Sequence, residues 1–167
     1  MTLDIAIEDR QAVQYIGATF SARPSEFGAP DGPNDAIPKV YQWLEEHGIA
    51  PLGGPLYVHR HVGSSDDIVD LTVAVPIAAP VKPTDGLVLG ELPAGTYVIG
   101  HHVGAPDAIP GAHEEMKKWA EEHGHRLDCR EDDNGTLWTG YAEHFLTDPS
   151  QEPDPTKWVT DLLFKTV

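Results

Sequence analysis

Asp35-Ala36-Ile37-Pro38 recurs as Asp107-Ala108-Ile109-Pro110, and Trp43-Leu44-Glu45-Glu46-His47-Gly48 recurs as Trp119-Ala120-Glu121-Glu122-His123-Gly124. A unit written twice predicts two copies of one supersecondary structure, packed about a shared cleft where a bound molecule touches both. Each copy opens on an Asp suited to N-capping, carries Pro where a first helical turn needs no N–H, and stops at a Gly suited to a left-handed C′ position. Helices are therefore expected near residues 35–47 and 107–123. Pro38 and Trp43 are five positions apart and Pro110 and Trp119 nine, so the second helix should be about one turn longer.

Working outward, Ile37, Val40, Tyr41 and Leu44 make an i, i+3, i+4, i+7 stripe, and Ile109, Ala112, Met116, Trp119 and Ala120 make its counterpart. Both helices should lie on a sheet with Glu45, Glu46, Lys117, Lys118, Glu121 and Glu122 in solvent. Residues 12–20 and 96–103 are rich enough in β-branched and aromatic residues to form a strand ahead of each helix. Segments 55–62 and 68–75, joined by the turn Gly63-Ser64-Ser65-Asp66-Asp67, follow the first helix; 137–146 and 158–167 follow the second. Each half reads strand, helix, strand, strand. The fold class is α+β: two pseudo-symmetric repeats forming a curved antiparallel sheet with a central ligand cleft. The chain is expected to be a single domain over 1–167, with repeat one at about 10–78, a Pro-bearing connector at 79–86 and repeat two at about 87–167. Arg23–Pro33 and Pro149–Lys157 read as loops or lids. The dozen or so residues ahead of the first strand leave no room for a helix-turn-helix.

Eleven Lys and Arg stand against 27 Asp and Glu, a formal charge of −16, which repels phosphate backbones and attracts cations. Direct binding of nucleic acid is not expected. The single Cys129 cannot close an internal disulfide. The acidic N-terminus does not resemble a secretory signal, and no run approaches the ~20 apolar residues of a membrane span. These features point to a cytoplasmic protein without a membrane partner. Nine histidines, with His59 and His61 on one strand and His101-His102 on another, lack the Cys or paired-helix spacing of a zinc site. No Gly-rich phosphate loop or G-x-S-x-G elbow is present. No cofactor and no metal are expected.

Leu92-Pro93-Ala94-Gly95-Thr96-Tyr97, the helix end at Trp119–Gly124, and the tail Glu143-His144-Phe145-Leu146-Thr147-Asp148-Pro149 with Glu152–Asp161 resemble the GyrI-like effector-binding family. That module is the ligand-binding part of AraC- and MerR-type transcription regulators and also occurs alone. Ala36-Ile37-Pro38, Gly48-Ile49-Ala50-Pro51 and Val73-Ala74-Val75-Pro76 extend the resemblance over the first half. It implies a cleft that takes up lipophilic, often cationic, aromatic compounds. The family tail usually reads Pro-Trp-Glu-Val-Tyr-Leu-Thr-Asp-Pro, and its Glu meets the ligand's positive charge. In this chain that acid is Glu143, with Phe145 in place of Tyr, Tyr141 in place of Pro and Ala142 in place of Trp.

Period-two alternation puts Thr139, Tyr141, Glu143 and Phe145 on one strand face, with Trp138 on the other, and groups Tyr57, His59 and His61 in the first repeat. Aromatic faces beside a carboxylate add cation–π attraction. The repeat would set Tyr57 across the cleft from Glu143, and Asp161, related to Asp70, would be a second acid near the pocket. The expected ligand residues are Glu143, Tyr57, Tyr141, Phe145, His59 and Asp161. The favoured function is a stand-alone, multidrug-type binding protein for amphipathic aromatic small molecules. An alternative is a hydrolase of cyclopropane-containing alkylating natural products, in which Glu143 and Tyr57 would be catalytic. A further alternative is an interaction protein like the gyrase-inhibitory member of the family, whose protein partner the sequence does not identify.

Overall fold

The structure is a computed structural model that describes residues 3–167; Met1 and Thr2 lie outside the described residues. It is α+β, with nine antiparallel strands and two α-helices. The strands are β1 (Leu3–Arg10), β2 (Val13–Ala22), β3 (Leu56–Gly63), β4 (Val69–Ile77), β5 (Val88–Leu92), β6 (Gly95–Val103), β7 (Cys129–Asp132), β8 (Gly135–Phe145) and β9 (Val159–Lys165). Helix α1 spans Pro33–Glu46 and α2 spans Ile109–Glu122. The strands run β1-β6-β9-β8-β3-β4-β2-β5 across one sheet, with β7 hairpinned onto β8.

That order reads alike from either end: a strand preceding each helix (β2, β6), then the last strand of each half (β4, β9), then β3 and β8 meeting at the centre. The outermost strands are exchanged. β1 opens the chain but pairs with β6 of the second half, and β5 precedes β6 but pairs with β2 of the first. Sequence reasoning passed over β1, β5 and β7. Leu3, Ile5 and Ile7 alternate with Asp4, Ala6 and Glu8 in a period-two pattern. The dozen or so residues placed ahead of the first strand therefore contain a strand of their own. Asp4, Glu8 and Asp9 put charge along this edge strand, which discourages pairing with a second chain.

Both helices lie on one face of the sheet. α1 packs Val40, Trp43 and Leu44 with Ile16, Val75 and Ile77; α2 packs Ile109, Ala112, Met116 and Ala120 with Val98, Leu162 and Phe164. The opposite face buries Tyr15, Leu56, Val58, Tyr97, Ile99, Ala142 and Leu163 as one cluster. No helix covers that cluster among the described residues, so the sheet must curl over its own face to keep those side chains dry.

The helix starts differ from expectation. α1 is N-capped by Gly32 with Pro33 at its first position, and Asp35 sits in the first turn, where its Oδ2 accepts the Asp31 N–H at 2.9 Å. Pro38 thus lies inside the helix. Asp107 belongs to a 3₁₀ turn, Pro106–Ala108, that leads into α2. With the extra N-terminal residues restored, both helices are 14 residues long, and the expected extra turn in α2 is absent.

The helix ends are as anticipated. Gly48 and Gly124 have φ of 66° and 75°. Gly48 N–H donates to Glu45 O at 3.2 Å and Ile49 N–H to Leu44 O at 2.9 Å; Gly124 and His125 repeat this to Glu121 and Ala120 at 3.2 and 2.8 Å. These are paired Schellman closures. In each, the preceding His stacks on the Trp one turn back at 4.0 Å. A Cβ at either glycine would meet nothing within 4 Å, so only the left-handed backbone resists substitution. Gly48→Ala and Gly124→Ala are each expected to cost about 1 kcal/mol, nearly additively, read as a lowered urea midpoint at unchanged slope.

Candidate functional site: an acid on an aromatic cleft floor

Between the two helices, over the central strands, lies a cavity of about 1100 Å³. Ile37, Pro38 and Tyr41 of α1 form one wall; Asp107, Ile109 and Pro110 at the start of α2 form the other; Phe27 and Trp158 close the ends. Tyr57, Glu143 and Phe145 make the floor. Ile37 and Tyr41, expected in the core stripe, are only partly buried because α1 turns Ala36, Val40, Trp43 and Leu44 onto the sheet instead. That rotation frees two apolar side chains for the cleft.

Tyr57 and Glu143 are register partners in the β3–β8 ladder. The phenol therefore stands beside the carboxylate, not across the cleft from it as the repeat suggested. Its hydroxyl donates to Asn34 Oδ1, and Phe145 meets its ring edge-on at 5.0 Å. Burial and the nearby Glu143 charge raise the Tyr57 pKa, keeping the phenol protonated. Among the described residues the lining holds the carboxylates Glu143, Asp107 and Asp148 and no Lys, Arg or His.

Behind the floor the surroundings change character. Glu143 Oε1 lies 3.5 Å from His59 Nε2 and 3.6 Å from His113 Nε2. Tyr141 Oη is 2.7 Å from His113 Nδ1. If the hydroxyl donates, Nδ1 is the acceptor and Nε2 carries the proton that faces the carboxylate, the tautomer a neighbouring negative charge favours. His102 is wholly buried, on the β6 register step beside Thr160 and Phe145. Burial pushes His113 down to about 4, against the pull of Glu143, so its imidazole is neutral at pH 7. His102 is lowered by burial too. Burial alone would raise Glu143, but the contact with His59 and the influence of His113 and His102 outweigh it and hold the carboxyl below its ordinary value.

The sequence-expected residues thus divide. Glu143, Tyr57 and Phe145 meet in the cleft. His59 and Tyr141 lie beneath it, buried, with ring centroids 4.5 Å apart and Tyr141 stacked on Phe164 at 4.5 Å; Tyr141 is a support, not a wall. Asp161 pairs in register with His144 and His101, one step from the Leu162–Glu143 pair, and so projects from the opposite face, bonded to His101. It is no second acid in the cleft.

The simple alternation also fails towards the hairpin. The ladder slips between His59 and His61, where four positions of β8 oppose two of β3. Trp138 therefore packs on Tyr141 at 5.1 Å, Thr139 turns outward to Asp128, and His61 leaves for Asp132 at 3.0 Å. Sequence reasoning missed His113 because a polar residue inside an apolar helical stripe was read past. Its position, i+4 from Ile109 on the face that Ala112 and Met116 bury, was the available signal.

Residues 4–165 match the family model of the GyrI-like small molecule binding domain. The chain belongs to that family. No curated protein sequence matches it. The GyrI-like domain resembles the EcmrR C-terminal domain (TM-score 0.72, 17% identity, covering 100% of this chain and 99% of that one). It also resembles EcmrR in its complex with DNA (TM-score 0.77, 16% identity, 98% of this chain) and spans only 57% of that longer chain. Two further likenesses are SAV2435 bound to tetraphenylphosphonium (TM-score 0.56, 12% identity, 98% and 94% covered) and a hydrolase from Listeria innocua (TM-score 0.66, 15% identity, 98% and 91% covered). At these identities the likeness is one of fold. No helix of the described residues is long and apolar enough to cross a membrane.

The histidines behind Glu143 make stability depend on pH. His113 binds its proton near pH 4 folded and near its ordinary 6.5 unfolded, so on acidification the unfolded chain takes up the proton first. The contribution is complete above pH 6.5 and is lost as pH falls towards 4. Its size is on the order of 3 kcal/mol. Thermal unfolding should show a midpoint that falls over this window, and His113→Gln should flatten that fall. An equal slope in the variant would assign it to other groups.

Proposed function

We propose that this GyrI-like domain binds lipophilic aromatic cations, with Glu143 as counter-ion and Tyr57 and Phe145 as the aromatic floor. The observation that carries the reading is a carboxylate at the base of a roomy, largely apolar cleft whose lining, among the described residues, offers it no basic partner. A carboxylate so placed leaves its charge to be met from outside, and flanking ring faces add attraction for the same sign. Walls made of Ile37, Pro38, Ile109 and Pro110 impose shape without hydrogen-bond pattern, which favours a range of related ligands. The likeness to a tetraphenylphosphonium-bound protein supports this ligand class. The net charge of −16 works in the same direction and against phosphate, so direct contact with DNA is no part of the function proposed for this chain.

The test compares tetraphenylphosphonium with neutral triphenylphosphine oxide by calorimetry. Glu143→Gln keeps shape and removes charge. It should cost the cation about 1–3 kcal/mol, roughly 5- to 150-fold in Kd, and the neutral compound much less. Equal losses for both would show that shape alone is read. If Glu143→Gln kept affinity for a strained electrophile but abolished its hydrolysis, the reading would move to a hydrolase in which Glu143 activates water.

A further inference from the structure

Five ring nitrogens beneath the cleft have no hydrogen-bond partner: both of His59, both of His102 and Nε2 of His113. Buried polar atoms without partners are uncommon in folded proteins and call for a reason. These three side chains are each at most 6% exposed and come from three different elements, β3, β6 and α2. All three stand on the sheet face that carries Glu143. We infer that His59, His102 and His113 determine the cleft's selectivity for positive charge, by turning ring nitrogens with no other partner towards Glu143 from beneath while its open side is left to a ligand.

The inference rests on the counter-ion reading of Glu143 and deepens it. A carboxyl at the bottom of an apolar cleft tends to take up a proton, because burial penalises the charged form. A protonated Glu143 would offer a cation nothing. Lys or Arg beside it would prevent protonation but would occupy the site as a permanent internal ligand. The imidazole of His113 avoids both outcomes, since burial keeps it neutral while Nε2–H still points its dipole at the carboxylate.

The distances of 3.5 and 3.6 Å exceed a full hydrogen bond, so the support is electrostatic and comes from two directions at once. The other groups near this cluster do not replace it. Tyr57 spends its proton on Asn34, and Tyr141 contacts His113 rather than Glu143. Leu162 across the β9 register and Phe145 on the floor are apolar. On α2, Lys117 and Glu114 pair with each other at 3.2 Å, outside the cluster. Asp107 acts on His102 from the cleft wall.

The decisive measurement is the pH profile of tetraphenylphosphonium affinity, because that cation's own charge does not titrate. In the wild-type protein, affinity should change by less than about threefold from pH 8 to 5.5, the carboxylate staying ionised throughout. The double substitution His59→Leu/His113→Leu should bind within a few-fold of wild type at pH 8 and lose roughly tenfold or more by pH 5.5, as burial returns a proton to Glu143. His59→Gln/His113→Gln, which restores N–H donors, should recover the flat profile. Affinity for triphenylphosphine oxide should not vary with pH in any of them.

A leucine variant whose profile runs parallel to wild type, however much weaker overall, would reduce the histidines to packing and overturn the inference. Should that variant not fold, the ¹³C chemical shift of the Glu143 carboxyl in unliganded wild type decides: titration at or above the ordinary carboxylate value overturns the inference, and titration below it supports it. Failure of the counter-ion reading looks different. In that case Glu143→Gln binds the cation as well as wild type at pH 8, while the carboxyl titration still reports on the histidines.

Discussion

The ladder between β3 and β8 is the constraint on which the rest depends. It joins the halves at the centre of the sheet, where the exchanged pairs β1–β6 and β5–β2 join them at its edges, and it joins residues as distant in sequence as Tyr57 and Glu143. Closing so long a loop is costly in chain entropy, and the cost is offset by what it brings together. On one face Leu56, Val58 and Ala142 complete the curled core. On the other, the same register puts a phenol and a carboxylate side by side on a floor that neither half has alone. A slip of one residue would turn Glu143 into that apolar core, so the core and the cleft specify the same register.

The carboxylate is the strained element of this arrangement, and the imidazoles behind it resolve a conflict of magnitudes. Taking an isolated ion out of water costs several kcal/mol even after relaxation, more than a single hydrogen bond, worth about 1 kcal/mol net, returns. Glu143 keeps part of its hydration through the open cleft and is approached by His59 and His113 from beneath, one from a strand and one from a helix. The histidines are themselves buried at a cost. His113 recovers some of it through Tyr141, whose ring is held by Trp138 and Phe164. The aromatic cluster under the cleft is thus mechanical support for a polar pair, which explains why Tyr141 stands behind the site and not in it.

Much of the frame was legible in the sequence because duplication is a long-range signal that a single chain carries openly. The matched Trp–His–Gly endings gave both helix stops to within one residue, since a left-handed glycine suits the closure that Gly48 and Gly124 make. The starts were less legible: Pro33 and Pro106 compete with the repeated Asp as initiators, and nothing local ranks them. Glu143 was named through the family resemblance, and Phe145 and Tyr57 could be set beside it because strand alternation holds in the straight parts of β8 and β3. It breaks at the slip between His59 and His61, which depends on how the hairpin of β7 and β8 crosses β3, and that is a tertiary matter. His102 and His113 were illegible for a related reason. A histidine in an apolar stripe looks the same whether it fills space or faces a carboxylate from another element, and only the exchanged, curled sheet brings these side chains to Glu143.

The overall acidity and the single buried acid act on different scales. At 0.15 M salt, charges farther apart than about 8 Å are largely screened, so most of the surface carboxylates speed a cation's arrival without holding it. Asp107 and Asp148 are exposed members of the cleft lining, and a contact with either in water is worth about 1 kcal/mol. Glu143, with a side chain 13% exposed, interacts through a medium of lower effective dielectric. There the same contact is several times stronger, and ring faces at Tyr57 and Phe145 exclude the water that would weaken it. The surface charge therefore governs the rate of encounter and its dependence on salt, while residence is governed at one oxygen pair. A cleft built this way discriminates by sign at its floor and by little more than size along its walls.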